Sequence, residues 1–265
     1  MKTAFLVLCH RLPVGIMVLA KRYPECQFYV HYDAKSPLAA IQPLTKLPNV
    51  QILRQRINVR WAGFSMIEAT LALIQTALAQ SDNQYFHLIS GNCLLLTTPQ
   101  NMATEMFRAG EGALLMESRP TLRLRYRVRF NTPHADTAWQ RQLHGKILTK
   151  LFQAADWLAP FADTAYTGSQ WFSADRKALN ILFQAALSSD AADFFEKKLC
   201  PDEHFFQYIV QNLPAGCLKH INHNRRYIAF KGNHPNWLTV TQLPELTKQY
   251  WFARKADDDF LLKYQ

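Results

Sequence analysis

The sequence predicts an α/β protein, a single domain with a mainly parallel central sheet flanked by helices. Two patterns carry that expectation. Short apolar runs rich in β-branched and aromatic residues recur along the N-terminal half, and the segments between them repeat their apolar residues at helical spacing. Strands alternating with helices in this way imply parallel pairing with both faces covered, because a parallel crossover needs a helix-length connection. A third observation sets the domain count. The hydrophobic share of 49% runs along the whole chain, and no linker, repeat or low-complexity tract divides the 265 residues.

Thr3–Leu8 reads as the first strand, closed by His10-Arg11 and Pro13, and Gln27–Tyr32 reads as the second. Between them Val14–Tyr23 can wind as a helix with Pro13 at its opening turn. Further strands are expected at Val50–Leu53, Tyr85–Ser90 and Ala113–Glu117. The helix after Trp61 is the best defined: Ser65 with Glu68 three residues on has the form of a capping box, and Ile67, Leu71, Ile74 and Leu78 follow at helical spacing. Thr98 before Pro99 opens another helix, and one more follows Asp175. In Cys200-Pro201-Asp202-Glu203-His204, proline at a first helical position predicts a helix start with Glu203 in its first turn, held ionised by the helix N-terminus.

Met1–Pro13 has a charged residue followed by an apolar run, the outline of a signal peptide. The run is short and no small-x-small cleavage site follows, so it reads as a buried strand. No stretch reaches the roughly 18 uninterrupted apolar residues of a membrane span, which leaves only peripheral membrane contact. The five cysteines, Cys9, Cys26, Cys93, Cys200 and Cys217, are odd in number and lack metal-type spacing, which suits reduced thiols and a cytoplasmic location.

Thirty Lys and Arg against 20 Asp and Glu give a formal charge of +10 and favour anionic partners such as nucleotides, nucleic acid or an acidic membrane face. The basic residues concentrate in Leu122–Arg129 and Lys219–Lys231 rather than along one regular helix, so nucleic acid is not the expected partner. Asp257-Asp258-Asp259 has the composition of a metal site but does not end a strand, and it reads as a solvated face.

Several segments, in this order and spacing, resemble glycosyltransferase family 14, the core-2/I-branching β-1,6-N-acetylglucosaminyltransferases and protein xylosyltransferases. They are HYDAKSP (31–37), RWAGFSMIEA (60–69), YFHLISG (85–91), GSQWFS (168–173), PDEHFFQ (201–207), NRRYI (224–228) and FARK (252–255). The resemblance implies a GT-A-like fold, a nucleotide-binding half over residues 1–118 and an acceptor-binding, catalytic half over 119–265. It implies inverting transfer from a UDP-sugar to a glycan or glycolipid hydroxyl with no metal and no other cofactor. Basic side chains would then stabilise the leaving diphosphate in place of a cation.

Under that resemblance Glu203 matches the general base, and Arg226 and Lys255 match the diphosphate-binding cations, with Arg225 and Arg254 as neighbours that a shifted alignment would substitute. Asp33 matches a position near the uracil or ribose, while its place before Ala-Lys-Ser-Pro equally suits a structural Asx turn. His10, after the first strand, joins it on the donor side, with Lys35 a weaker candidate. Trp61 and Trp171 are candidate sugar platforms, with Glu117 and Ser169 as polar partners for the acceptor. Two departures stand out: Cys93 replaces an expected carboxylate after the fourth strand, and Ala62 replaces the first Gly of a Trp-Gly-Gly. The rival reading is a basic nucleotide- or nucleic-acid-binding protein without catalysis.

Overall fold

The computed structural model describes residues 2–159, 164–188, 190–231 and 234–265. Its strands are β1 (Lys2–Cys9), β2 (Gln27–Tyr32), β3 (Val50–Ile52), β4 (Asn83–Ser90), β5 (Leu94–Leu95), β6 (Ala113–Leu115), β7 (Arg119–Thr121), β8 (Ala165–Thr167), β9 (Ser173–Asp175), β10 (Lys219–Ile221), β11 (Arg226–Ile228), β12 (Phe230–Lys231), β13 (His234–Pro235) and β14 (Phe252–Arg254). The helices are α1 (Val14–Arg22), α2 (Ser65–Leu78), α3 (Pro99–Ala109), α4 (Tyr126–Arg129), α5 (Leu143–Leu158), α6 (Arg176–Ser188), α7 (Ala191–Phe195), α8 (Phe205–Asn212), α9 (Leu243–Leu246) and α10 (Asp258–Tyr264).

Seven strands form the main sheet in the order β10-β6-β9-β4-β1-β2-β3. Every pairing is parallel except those of β9, which runs antiparallel between β4 and β6. The α/β class with a mainly parallel sheet is therefore the observed one. Alternation along β1 divides the core between the two faces. Ala4, Leu6 and Leu8 pack with α2 and α6 on one side, and Phe5 and Val7 pack with α1 and α3 on the other.

Along the chain β1 leads to β2 on one side of the sheet, whereas β4 leads away to the other. The chain order therefore reverses at β1 and β4, and in open α/β sheets ligands usually meet the carboxyl ends of the strands at such a point. Gly91 packs the end of β4 against the loop after β1, where a Cβ would stand 2.9 Å from Pro13 Cβ and 3.2 Å from Cys9 Cβ. A smaller sheet, β11-β14-β5, brings the NRRYI and FARK segments side by side in parallel, with Arg226 opposite Phe252 and Ile228 opposite Arg254.

The expected capping box on α2 does not form. Phe64 is already helical, so Ser65 lies inside the first turn, and the Glu68 N–H donates to the Phe64 carbonyl instead. Ser65 Oγ accepts from Arg60 N at 2.8 Å and donates to Asp136 Oδ1 at 3.0 Å, while Ser65 N donates to Asp136 Oδ2 at 3.1 Å. A carboxylate 71 residues away thus caps the helix. Asp136→Ala is expected to cost roughly 1–2 kcal/mol, the usual worth of an N-terminal cap. Thermal unfolding should show a fall in Tm of about 2–8 °C; an unchanged Tm would mean that the Asp136 carboxylate does not stabilise the helix start.

Candidate active site

The functional residues gather along the carboxyl edge of the main sheet. His10 follows β1 and Asp33 follows β2, and these neighbouring strands end in register at Cys9 and Tyr32. The Asp33 carboxylate accepts from Lys35 N at 3.0 Å through Oδ1, and Oδ2 lies 3.4 Å from Lys35 Nζ, so the Asx turn forms. Asp33 is buried and His10 exposed, and the His10 carbonyl accepts from Ser36 Oγ, which ties the two loops together.

At the end of β4, Asn92 and Ala256 exchange two hydrogen bonds. Asn92 Nδ2 donates to the Ala256 carbonyl and Ala256 N donates to the Asn92 carbonyl, both at 3.1 Å. This clasp holds the end of the FARK strand β14 against the end of β4. Cys93, standing for the expected carboxylate, is buried, and its thiol lies 3.3 Å from Ser90 Oγ. Lys255 Nζ sits 4.8 Å from the centre of the Trp237 ring, and the Arg254 guanidinium lies 4.8 Å over Trp171. Arg254 Nε is buried without a hydrogen-bond partner among the described residues.

Arg226, an expected diphosphate-binding cation, lies largely inside the fold. It is 7% exposed, its guanidinium lies 4.9 Å over Phe252, and its N–H groups donate to the carbonyls of Asn224, Leu88 (3.1 Å) and Phe172. Burial lowers its pKa to about 9, against the upward pull of Cys93 and Glu117. The guanidinium therefore braces β4, the start of β9 and the NRRYI loop from inside. Arg225 faces elsewhere: its Nη2 lies 3.4 Å from Glu105 of α3, and Nη1 donates to the Gln249 carbonyl.

Pro201 does open a helical turn with Glu203 in it, but the turn is a single 3₁₀ turn and not the start of α8. Cys200 adopts left-handed φ of 49°, Pro201–Glu203 make one 3₁₀ turn, and His204 at φ −136° breaks away before α8 starts at Phe205. The charge partner of Glu203 is Arg127, whose Nη1 lies 2.6 Å from Oε2, rather than a helix N-terminus. Oε1 carries no hydrogen bond to the described residues, and the side chain is 44% exposed. Arg127 does not stand out in the sequence, because it is one of four alternating arginines in Leu122–Arg129. Its neighbours Arg125 and Arg129 instead hold Asp156 of α5.

Several contacts join Glu203 to the other expected residues. The Gly168 N–H donates to the Glu203 carbonyl at 3.0 Å, and a Cβ at Gly168 would stand 1.9 Å from the Glu117 carbonyl, so only glycine fits. Gln207 Nε2 donates to the carbonyls of Glu117 (3.2 Å) and Ser169 (3.1 Å), while its Oε1 is buried without a partner. Ser169 Oγ accepts from Trp171 N at 3.3 Å, and Trp171 carries Arg254 on its ring. His204 Nδ1 donates to the Tyr166 carbonyl, and burial lowers its pKa to about 4, so a neutral imidazole backs the turn. Beside it, Asp202 is raised to about 7 by burial and by Glu203.

Trp61 reaches this cluster through its neighbour. The Ala62 carbonyl accepts from Cys200 N at 3.2 Å and from Gln140 Nε2 at 3.0 Å, which pins the Trp61 loop to the Glu203 turn. Ala62 has φ of 57°, the left-handed region that favours glycine, the residue that the Trp-Gly-Gly resemblance leads one to expect here. The Trp61 ring remains exposed, with the Arg141 guanidinium 5.3 Å over it. Asp257 caps α10 through the Phe260 N–H, and Asp258 pairs with Arg11 at 3.2 Å. Among the described residues no group of three or more His, Cys, Asp or Glu is arranged to hold a metal ion.

A family model described as Core-2/I-branching enzyme matches residues 3–249, nearly the whole chain. The chain belongs to the Core-2/I-branching enzyme family. It is a glycosyltransferase. The matched span includes the Glu203 turn, Gly168–Trp171 and Arg226, and it ends before Arg254 and Lys255, which the pairing of β14 with β11 brings to the same place. Among solved structures, a mannose-1-phosphate geranyltransferase from Thermus thermophilus is similar over 81% of this chain and 68% of its own, at 13% identity and a TM-score of 0.38. A protein described as a putative glucose-1-phosphate thymidylyltransferase from Bacillus anthracis, in complex with sucrose, is similar over 83% and 86%, at 9% identity and a TM-score of 0.42. No curated protein matches this Core-2/I-branching family member.

Proposed function

We propose that the enzyme moves a sugar, N-acetylglucosamine or xylose, from a UDP-sugar to a hydroxyl of a glycan acceptor with inversion and without a metal ion, in the assembly of a surface polysaccharide or lipopolysaccharide. The observation that supports the reading is the link from the Glu203 turn to the basic strand β14: the Glu203 main-chain carbonyl accepts from Gly168 N–H, Trp171 N–H donates to Ser169 Oγ, and the Trp171 ring carries the Arg254 guanidinium. A candidate base and a candidate cation are thus joined through one short segment, Gly168–Trp171. Glu203 Oε1 would take the proton from the acceptor hydroxyl as that oxygen attacks the anomeric carbon, and Arg127 holds the other carboxylate oxygen in place. One carboxylate suffices for inversion, because no covalent sugar intermediate is needed.

The leaving UDP gathers negative charge as its bond to the sugar breaks. Lys255 and Arg254 are the cations offered to it, the guanidinium of Arg226 being engaged by backbone carbonyls. The uridine would lie toward Asp33 and His10 at the ends of β2 and β1, the usual position for a nucleotide in a sheet of this kind. Ser169 and Glu117 line the acceptor side, beside Trp61 and Trp171.

A screen of UDP-sugars by thermal shift, followed by assay of the stabilising donor for slow hydrolysis, tests the reading, since a ligand that binds the native state raises Tm. Stabilisation with release of UDP is the expected result; binding without turnover under any acceptor would favour a non-catalytic nucleotide-binding protein. With fixed side-chain cations at the diphosphate, hydrolysis should persist in excess chelator. Complete loss of activity there, restored by Mn²⁺, would replace the metal-free mechanism.

A further inference from the structure

The polarity of α5 is inverted. A helix on the surface of a water-soluble protein normally turns its apolar stripe inward and its polar face to solvent. Here the inward side is largely small or polar. Gly145 lies against the Trp139 carbonyl, Thr149 bonds to His134 at 2.9 Å, and Asp156 is buried between Arg125 and Arg129, with Phe152 against Phe130. The outward side carries Leu143, Ile147, Leu151 and Leu158 at helical spacing, from 53% exposed at Ile147 to 74% at Leu143. Trp157 at 80% and Trp139 at 59% flank this stripe, and a shallow apolar groove of about 270 Å³ runs beside it between His134, Trp139 and Leu151. Scattered exposed leucines need no explanation, but a continuous outward stripe of this length marks a contact surface.

Charge selects the partner. Lys146 and Lys150 are exposed on the same helix along one side of the stripe. Residues 119–159 hold eight Arg and Lys against two Asp, a net +6 of the +10 of the whole chain. A second copy docking stripe to stripe would bring two such basic surfaces together, which opposes self-association. An apolar stripe edged by lysines and tryptophans instead suits the interface of an anionic bilayer. Aliphatic side chains enter the acyl boundary, tryptophans settle at the headgroups, and lysines meet lipid phosphate.

We infer that α5 is a membrane-docking helix that lies in the plane of an anionic lipid surface through Leu143, Ile147, Leu151, Trp157 and Leu158, with Lys146 and Lys150 on the headgroups. Among the described residues no helix is long and apolar enough to cross a membrane, so the contact is peripheral. The docking stands apart from the identity of the transferred sugar, and it sets α5 on the lipid with the Trp61 loop linked to it through Gln140, Arg141 and Trp139.

Vesicle sedimentation of the full chain tests this, using phosphatidylcholine alone and phosphatidylcholine with phosphatidylglycerol at about one part in three. The protein should sediment with the anionic vesicles and remain in solution with the neutral ones. Ile147→Ser combined with Leu151→Ser should weaken binding roughly tenfold or more, and Lys146→Gln with Lys150→Gln should do so by a similar factor that shrinks as salt is raised. All four side chains are outward, so Tm and UDP-sugar hydrolysis in solution should stay at wild-type values, and these readouts separate a failure of docking from a failure of the catalytic reading. Absence of binding to either vesicle, or serine variants that sediment like wild type, would overturn the inference. So would a dimer in sedimentation velocity that the serine variant dissociates without any vesicle binding.

Discussion

Replacing Glu203 by Gln is expected to lower sugar transfer by roughly 10²–10⁴-fold while leaving affinity for UDP almost unchanged. Gln keeps the length of the side chain and can still accept a hydrogen bond from Arg127, so the 3₁₀ turn and its bonds to Gly168 and Ala62 should survive. What it removes is the capacity to take a proton from the acceptor hydroxyl. A purely structural Glu203 predicts another pattern. Its ion pair with Arg127 is partly exposed, so its loss would shift Tm slightly and leave turnover close to wild type. Arg127→Met sharpens the comparison, because it frees the carboxylate from its partner without deleting it. That variant should transfer more slowly through a mispositioned base, and its deficit should not add fully to that of Glu203→Gln. Near wild-type transfer by the Gln variant would remove Glu203 from the chemistry.

The centre of the sheet is legible in the sequence because β1, β2 and β4 are long, buried runs whose apolar character is written locally. β9 and β10, three residues each, are not legible. Ser-Ala-Asp and Lys-His-Ile carry no strand signal of their own, and their pairing comes entirely from β4 and β6. The same division runs through the site. PDEHFFQ, GSQWFS and FARK stand out in the sequence as the pieces that carry the family resemblance, yet the contacts that organise the site join distant residues: Arg127 to Glu203 across 76 positions, and Asp136 to Ser65 across 71. Local rules make Ser65 a cap and give Glu203 a helix N-terminus as its charge partner; Asp136 caps in place of Ser65, and Glu203, in a lone 3₁₀ turn, pairs with Arg127. Ala62 shows a third kind of difficulty. Its left-handed backbone is invisible in alanine itself and becomes visible only when the structure supplies the dihedral angle.

Under the proposed function Arg226 is a brace and Lys255 a binder of the donor, and two substitutions should separate the roles. Arg226→Ala would take the guanidinium donors away from the carbonyls of Leu88 and Asn224 and leave that of Phe172 with the Leu88 N–H alone, a cost of roughly 3 kcal/mol. For a chain of this size that corresponds to a fall in Tm of about 6–12 °C. Arg226→Lys should recover little of it, because an ammonium cannot reach several carbonyls in the plane of a guanidinium. Lys255→Ala should behave in the opposite way. Its ammonium is half-buried on Trp237 and bonds no other side chain among the described residues, so Tm should hardly move. Affinity for UDP should instead fall by roughly 1.5–3 kcal/mol, or about 10- to 150-fold, the worth of a charge-assisted contact to phosphate. Calorimetric titration with UDP and thermal unfolding on the same preparations read both quantities. An Arg226→Ala protein that melts like wild type but binds UDP weakly would return that guanidinium to the diphosphate, and unchanged UDP affinity in Lys255→Ala would move the phosphate site away from β14.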